Sequence, residues 1–384
     1  MKLTAHRSSS GGRFGLQDCL ATGPGSAILG SLLFSALFLS PMSVKFLLRV
    51  AGTLLLAWAA AAACVALHTP LPWMLGPLVA TSVLSMAGAP TESWGPLRNG
   101  GQWAIGAALG LYFTPEVSAL VGSLWWAIVL GIGWALLLGW GFGAWLYRLH
   151  APRMHGVPAS MLRSTSYFAG AIGAASEMTL LSERENARTD LVAASHSLRL
   201  LIVTITIPFA LQWSGLQGLD ILTPTQREVS WPGLALLALL TGAGALVMDR
   251  LGRANPWFMG AMLVSMAVTM AGLHLSAVPQ AVVNAAQLVI GVSLGVRFRA
   301  EFLHTAPRWL ASVAVGTFGL MGICAAFAAV LAWATGLPWV TLLLGTSPGG
   351  ITEMAITAKV LQLGVPVVTA FQVCRLIAVL MLVG

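Results

Sequence analysis

Charged residues are scarce in this chain. Aspartate, glutamate, lysine and arginine together make up only 8% of its 384 residues, whereas a soluble domain carries about 25%. So few charges cannot cover a water-exposed surface, which excludes an ordinary soluble globular protein. Hydrophobic residues reach 57% and gather in long runs that are nearly free of charge. The sequence therefore predicts an all-α integral membrane protein.

Cysteine and histidine are also sparse, with four and seven residues. No two cysteines form a CxxC pair, and the histidines are scattered without the spacing of metal ligands. This excludes a disulfide framework or a zinc site of the usual kind. A copper or iron monooxygenase needs several converging ligands, so an enzyme is not expected. We predict no catalytic residue, no metal site and no cofactor.

The net charge of +8 does not indicate nucleic-acid binding. No basic patch is interleaved with aromatic residues anywhere in the chain. Basic residues collect instead between the apolar runs, as they do in the cytoplasmic loops of membrane proteins. We therefore expect no nucleic-acid partner and a multi-pass protein of the bacterial-type inner membrane.

The first 45 residues form a separate leader. Residues 1–26 are polar and rich in glycine and serine, and residues 27–40 are an apolar run of 14. That run is short for a membrane span and has the length of a signal-peptide core, yet no convincing cleavage site follows it. Met42 is an alternative start. We expect a disordered leader, or one that precedes the true start, outside the membrane core.

Twelve hydrophobic segments follow the leader, in two sets of six. A polar linker at 214–230 separates a first repeat, 46–213, from a second repeat, 231–384. The segments of the first repeat are 46–68, 71–89, 100–114, 117–147, 160–181 and 191–213. Those of the second are 231–249, 256–273, 280–297, 307–335, 340–361 and 365–384.

The two repeats share residues in the same order. A Pro-Trp pair opens the second segment of each, and a glutamine followed by two glycines at four-residue spacing lies in the third. A Glu-Met pair lies in the fifth segment, and an arginine follows it at equal distance in the sixth. The matched residues are Pro72 with Pro256, Gln102 with Gln287, Glu177 with Glu353 and Arg199 with Arg375. This order indicates an internal duplication.

Equivalent loops of the two repeats carry opposite charge. The loop after the first segment lacks basic residues in the first repeat but holds Arg250 and Arg253 in the second. After the fourth segment the bias reverses, with Arg148 and Arg153 in the first repeat only. By the positive-inside rule these loops lie on opposite sides of the membrane. We predict inverted-topology repeats of about five transmembrane helices each, so one of the six segments should not span.

The fifth segment is the one predicted to be interrupted or re-entrant. In the second repeat it contains Ser347, Pro348, Gly349 and Gly350, which resist a regular helix. We interpret Ser347 and Pro348 as the N-cap and first position of a half-helix running through Glu353. Its free N–H groups could hold an anion. A kink used only for packing is the alternative.

Two pairs of ionisable residues are site candidates because charge is costly inside a membrane. Glu177 and Glu353 could bind a proton, Na⁺ or a substrate amine. Arg199 and Arg375 could grip a carboxylate or phosphate in bidentate fashion. The alternatives are structural Glu–Arg pairs, or arginines that extend to the membrane interface.

Gln102 and Gln287 are candidates of a weaker kind. Each begins a helix face of small residues that suits close helix packing and adds one polar group. A role in lining a binding site and a role in packing both stay open.

These motifs resemble the AbrB membrane protein family. The resemblance rests on Pro-Gly-Gly-x-x-Glu-Met at 348–354, on the Pro-Trp and glutamine–glycine elements and on the duplication, and it covers about 46–384. The first repeat departs from the pattern, because it has Ile172-Gly173-Ala174 where Pro-Gly-Gly would stand. Members of this family are called regulators of gene expression and sometimes ammonia monooxygenases. The resemblance therefore implies regulation of gene expression by a protein located in the membrane.

Two functions are compatible with these features. Inverted repeats around interrupted helices are typical of secondary transporters, which predicts transport of a small solute, with an anion and coupling to H⁺ or Na⁺ among the options. The alternative is a membrane-bound sensor or regulator that affects gene expression without transport. The expected partners are the lipid bilayer and a small-molecule or ion ligand, and a homo-oligomer stays open.

Overall fold

The computed structural model describes residues 44–154, 156–173, 175–216, 228–298 and 306–383. Nearly all of the predicted leader and most of the linker lie outside these residues. The chain divides into a unit ending at Leu47 and a unit from Leu48 to Gly384. Residues 44–47 begin the first described helix, and the rest of the description concerns the second unit.

The described residues form fifteen α-helices and no strand, in agreement with the predicted all-α class. In chain order they are α1 Val44–Ala66, α2 Pro72–Met86, α3 Gly95–Gly110, α4 Pro115–Ser123, α5 Trp125–His150, α6 Ala159–Gly170, α7 Ala175–Arg184 and α8 Thr189–Ser214. Then follow α9 Trp231–Arg250, α10 Pro256–Met270, α11 Gln280–Gly295, α12 Pro307–Thr335, α13 Trp339–Thr346, α14 Ile351–Val360 and α15 Val365–Val383.

Five helices, α1, α5, α8, α9 and α12, are long and apolar enough to cross a membrane. The pair α3 and α4, bent by 89°, adds a sixth if it is counted as one span. The prediction of about ten crossings therefore depends on shorter helices. Helices such as α2 and α11 have 15 and 16 residues, or roughly 24 Å at 1.5 Å per residue, whereas the apolar core of a bilayer is about 30 Å thick.

The long helices carry large apolar side chains on their outer faces. Trp58 of α1, Leu239 of α9 and Trp333 of α12 are exposed, the last by 88%. Such surfaces suit contact with lipid rather than water. The described part of the chain is thus helical and of the membrane type.

Helices α2 and α10 begin and end in the same way. The residue before each, Leu71 or Asn255, has a left-handed φ of 46° or 50°. A proline then occupies the first helical position of each helix, where its missing N–H costs nothing. Just past each end lies a glycine with positive φ, 83° at Gly88 and 75° at Gly272, which a side chain would strain.

The third helix of each predicted repeat packs on the second helix of the other. A Cβ added at Gly106 of α3 would overlap the carbonyl oxygen of Phe258 in α10. A Cβ added at Gly291 of α11 would lie 2.5 Å from the carbonyl oxygen of Met74 in α2. Glycine at these positions lets the backbones approach closely, and the two contacts are reciprocal between the repeats.

Replacing Gly106 or Gly291 with alanine should destabilise the protein. The added methyl group meets a backbone atom that cannot rotate away, and overpacking of this kind costs about 1–3 kcal/mol. The midpoint of thermal unfolding in detergent should fall for both variants. Gly133→Ala on α5 is the control, because no atom lies within 4 Å of its added Cβ. Equal midpoints for all three variants would contradict the close approach.

The fifth segment is broken in both repeats. Helix α6 ends at Gly170 and α7 begins at Ala175, whereas α13 ends at Thr346 and α14 begins at Ile351. The predicted cap was wrong, because Gly350 is the N-cap of α14 and Ser347 ends α13 instead. The Ser347 hydroxyl donates back to the Leu344 carbonyl at 3.0 Å. Pro348 and the two glycines therefore form the connection rather than the start of the half-helix.

The predicted fourth segment, 117–147, also contains a break. Helix α4 ends at Ser123 and α5 starts at Trp125. Gly122 and Ser123 are poor helix formers at this end, and the N-cap of α4 is Thr114, whose side chain accepts from the N–H of Val117. Helix α4 is therefore separate from the long helix that follows it.

Candidate functional site

The break in the first repeat is held by Arg199 of α8. Its guanidinium donates to the carbonyl oxygens of Ala169, Gly170 and Ala171 at 3.2, 3.3 and 2.8 Å. These carbonyls end α6, and the last carbonyls of a helix lack partners inside it and carry partial negative charge. Arg199 thus neutralises and caps the end of the broken helix.

Arg375 of α15 does the same in the second repeat. It donates to the carbonyl oxygens of Ser347 at 2.6 Å and Gly349 at 2.9 Å, just past the end of α13. Gln372, one turn earlier, accepts from Arg375 and donates to the Leu344 carbonyl at 2.7 Å. An arginine and a polar residue three positions before it therefore close the break together.

His196 takes the place of this glutamine in the first repeat. Its Nδ1 lies 2.8 Å from the Arg199 guanidinium, and its Nε2 lies 2.9 Å from the Phe168 carbonyl. Since arginine can only donate and a carbonyl can only accept, Nδ1 accepts and Nε2 carries the hydrogen. His196 is thus a buried hydrogen-bonding residue of the break.

Both arginines are buried, with exposed fractions of 2% for Arg199 and 6% for Arg375. The alternative that they extend to the membrane interface is therefore wrong. Neither forms an ion pair with the glutamate of its own repeat. The ion pairs among the described residues join other partners, Arg49 with Glu92 and Arg188 with Asp190.

The glutamates lie on the other side of each break. Glu177 is in the first turn of α7 and Glu353 is in the first turn of α14. A carboxylate in this position is stabilised by the positive end of the helix dipole. Each break therefore has a cation at its carbonyl end and an anion at its N–H end. Glu353 is buried, with 7% exposed, whereas Glu177 is half-buried.

The two breaks border one cavity of about 370 Å³. Ile172, Gly173 and Ala175 line it from the first repeat, and residues 349–353 line it from the second. Of the predicted site residues, the lining contains Gln102, Glu177, Gly349, Gly350, Glu353 and Arg375. It does not contain Ser347, Pro348, Arg199 or Gln287, of which Gln287 is buried in α11.

Four further charged residues line the cavity. They are Arg98, Asp249, Arg253 and Arg297. From the sequence, Arg253 is only a loop charge and Arg98 and Arg297 were not predicted as site residues, although a signal for a site was present. Arg253 lies just before the Pro-Trp motif of α10, and Arg297 lies just after the glutamine–glycine helix α11, so both flank elements shared by the two repeats.

The cavity extends from the surface into the core. Asp249 and Arg253 are exposed at one end, whereas Glu353 and Arg375 are buried at the other. Ile290 and Leu294 of α11 supply apolar wall between the charges. A pocket of this size with both signs of charge can bind a small polar solute and fix its orientation.

Comparison with known proteins agrees with the sequence resemblance. The family model described as "Transition state regulatory protein AbrB" matches residues 73–384, a range that includes every residue lining the cavity. "Putative regulator AbrB" of Escherichia coli (strain K12) is 26% identical over 320 residues, covering 82% of this chain and 89% of that protein.

A second relative is "Uncharacterized protein YhjN" of Bacillus subtilis (strain 168). It is 24% identical over 337 residues, covering 81% of this chain and 85% of that protein. Both alignments extend over most of both chains, and the family model matches far more than half of this one. The chain therefore belongs to the AbrB family.

Proposed function

We propose that this chain is a membrane carrier that moves a small solute through the cavity between its two broken segments. One observation carries the proposal: Gly173 of one break and Gly350 of the other line the same cavity. Secondary transporters with inverted repeats bind their solutes where interrupted helices of the two repeats meet. The charged ends of the breaks would supply the polar groups that hold the solute.

Two features support inverted repeats at 46–213 and 231–384. The reciprocal contacts of Gly106 with Phe258 and of Gly291 with Met74 are what a two-fold axis between repeats produces. Equivalent loops carry opposite charge bias, which favours an axis in the plane of the membrane. Such an axis gives a carrier two related states, one open to each side.

The charges around the cavity favour an opening toward the cytoplasm. Arg98, Arg253 and Arg297 line it, and each lies at a loop that the positive-inside rule assigns to the cytoplasmic side. In a bacterial-type inner membrane the described conformation would then be the inward-open one. Movement of one repeat against the other would close this side and open the opposite one.

A sensor or regulator is the second candidate. It is favoured by the printed name of the Escherichia coli relative, which calls that protein a regulator. In this case the same cavity would bind a solute without passing it on, and binding would change the conformation seen by a partner. An enzymatic role is not part of either proposal.

Reconstitution in lipid vesicles tests the carrier. The purified protein is placed in vesicles, and uptake of radiolabelled amino acids, organic acids and inorganic ions is compared with uptake by protein-free vesicles. We expect saturable, protein-dependent uptake of at least one class. A solute that binds to the protein in a thermal-shift assay but does not enter vesicles would overturn the carrier and support the sensor.

A further inference from the structure

The N-terminus of α14 borders the cavity with unpaired backbone donors. The first-turn N–H groups of an α-helix have no partner within the helix, and the first main-chain bond here is from Met354 to Gly350 at 3.0 Å. Gly350, Ile351 and Thr352 all line the cavity, and the helix has 10 residues. Such an end attracts a negative group.

The side chain of Glu353 already lies at this end. A Cβ added at Gly350 would overlap its Oε2 atom, so the carboxylate folds back over the N-cap residue. Glu353 is more than nine-tenths buried and lines the cavity. The main-chain N–H of Glu353 donates to its own carboxylate, and among the described residues no ion pair within 4 Å joins this carboxylate to a cation. The carboxylate therefore fills the place of an anion at the first turn of the helix.

The surrounding charge is mixed but favours an anion. Helix α15 presents Arg375, whose Nε is buried and unpaired in the described structure, and α3 presents Arg98. The other helices packed on α14 are α13, which has no ionisable residue, and α8, whose His196 and Arg199 bind the α6 carbonyls.

The remaining charges near this end are few. On α8, Asp190 pairs with Arg188, and on α14 itself Lys359 lies in the last turn, at the far end from Glu353. The rest of the cavity adds two cations and two anions: Arg253, Arg297, Glu177 and Asp249. Of these, Arg297 is the cation that interacts electrostatically with Glu353. With Arg98 and Arg375 included, cations outnumber the anions other than Glu353.

We infer that Glu353 competes with the solute for the N-terminus of α14, and that the solute is a compact organic anion such as a carboxylate. An anion enters this position when Glu353 takes up a proton and its side chain leaves. The binding half of this inference stands alone, whereas the transport half rests on the proposed function.

This competition couples the binding of one anion to the protonation of Glu353. While Glu353 is ionised, its charge repels a second anion and its oxygens cover the N–H groups. The apparent affinity for the anion should therefore fall by up to about tenfold per pH unit over the range in which Glu353 ionises. A monovalent anion would enter together with the proton that Glu353 takes up, so no net charge would be added to the protein.

Anion binding to the purified full chain tests this inference. Pyruvate and oxalate serve as probes, because they stay ionised between about pH 6 and about pH 8.5, where carboxyl groups with ordinary pKa values do not titrate. Affinity is measured by calorimetry and by thermal shift. We expect at least one probe to bind the parent more tightly at the lower pH, by up to about tenfold for each pH unit over which Glu353 ionises.

Glu353→Gln should remove this pH dependence. The neutral amide cannot compete by charge, so binding at the higher pH should match that of the parent at the lower pH. Gly350→Ala is a second variant, whose added methyl group displaces the carboxylate without changing charge and should weaken the pH dependence. Glu183→Gln, exposed on α7 and outside the cavity lining, should retain the full pH dependence.

Four results would overturn the inference. They are a parent that binds a probe equally well at both pH values, a folded Glu353→Gln variant that keeps the pH dependence of the parent, loss of binding at both pH values in that variant, and no probe bound by the parent at either pH. If Glu353→Gln does not fold, an unchanged pH dependence in Gly350→Ala overturns it as well. The expected binding pattern without uptake by vesicles would instead reject only the carrier.

Discussion

Arg375→Leu should strongly lower the thermal stability of this protein. The guanidinium donates to the Ser347 and Gly349 carbonyls. Leucine leaves the buried Gly349 carbonyl without this donor, and it leaves the Ser347 carbonyl with only the long bond from the Gln372 amide, 3.4 Å. Hydrogen bonds to charged groups contribute about 1.5–3 kcal/mol each, so a loss on the order of 3 kcal/mol is expected. Arg199→Leu should lose a similar amount of stability, because the three carbonyl partners of Arg199 are equally buried. Thermal unfolding in detergent measures both.

Arg153→Leu is the matched control for these variants. Arg153 is exposed just past the end of α5, and such surface replacements usually stay within about 0.5 kcal/mol. The unfolding midpoint of Arg375→Lys should lie between those of the parent and of Arg375→Leu, because one ammonium group cannot make the two hydrogen bonds of a planar guanidinium. Unchanged stability of Arg375→Leu would mean that the guanidinium does not hold the break and is free to grip a ligand, as its residue type alone suggested.

Gln102→Trp should strongly weaken solute binding and uptake while leaving the fold intact. Gln102 is half-buried on α3 and lines the cavity, so an indole there fills space that the solute needs. We expect affinity and uptake to fall by at least roughly tenfold, or about 1.4 kcal/mol. The unfolding midpoint should change little, because the ring enters an open cavity rather than a packed core.

The control for this variant is Val330→Trp on the outer face of α12, where the valine is 62% exposed. It adds the same side chain where lipid is expected and should leave binding and uptake unchanged. If Gln102→Trp takes up solute as well as the parent, the path does not run through this cavity, and the proposed carrier mechanism would need another site.

Local sequence was enough to find the elements that form the breaks. Proline and the glycines at 348–350 interrupt a helix wherever they stand, and the matched Glu177 and Glu353 are conspicuous because charge is rare in apolar segments. The duplication strengthened both signals, since each element occurs twice in the same order. For these reasons the interruption of the fifth segment in both halves and the position of the second break were predicted correctly. The position of the first break was not, because no proline marks it.

The partners of these elements could not be predicted. An arginine suits a ligand carboxylate and a backbone carbonyl equally well, so residue type did not reveal that Arg199 and Arg375 bind the ends of α6 and α13. Ser-Pro is a common N-cap signal, yet the glycines after Pro348 moved the cap to Gly350. Arg98 and Arg297 are far apart in sequence, and only the packing of α3 and α11 brings them to one cavity.

The crossed packing of α2 with α11 and of α3 with α10 constrains how the chain is assembled. Met74 and Gly291 are in contact although more than half the chain separates them. When the ribosome has completed the first repeat, α2 and α3 still lack the surfaces they pack against, and contacts between distant residues form slowly. Until the second half is synthesised, the packing surfaces of α2 and α3 for α11 and α10 therefore stay exposed in the bilayer. During that time they can form non-native contacts.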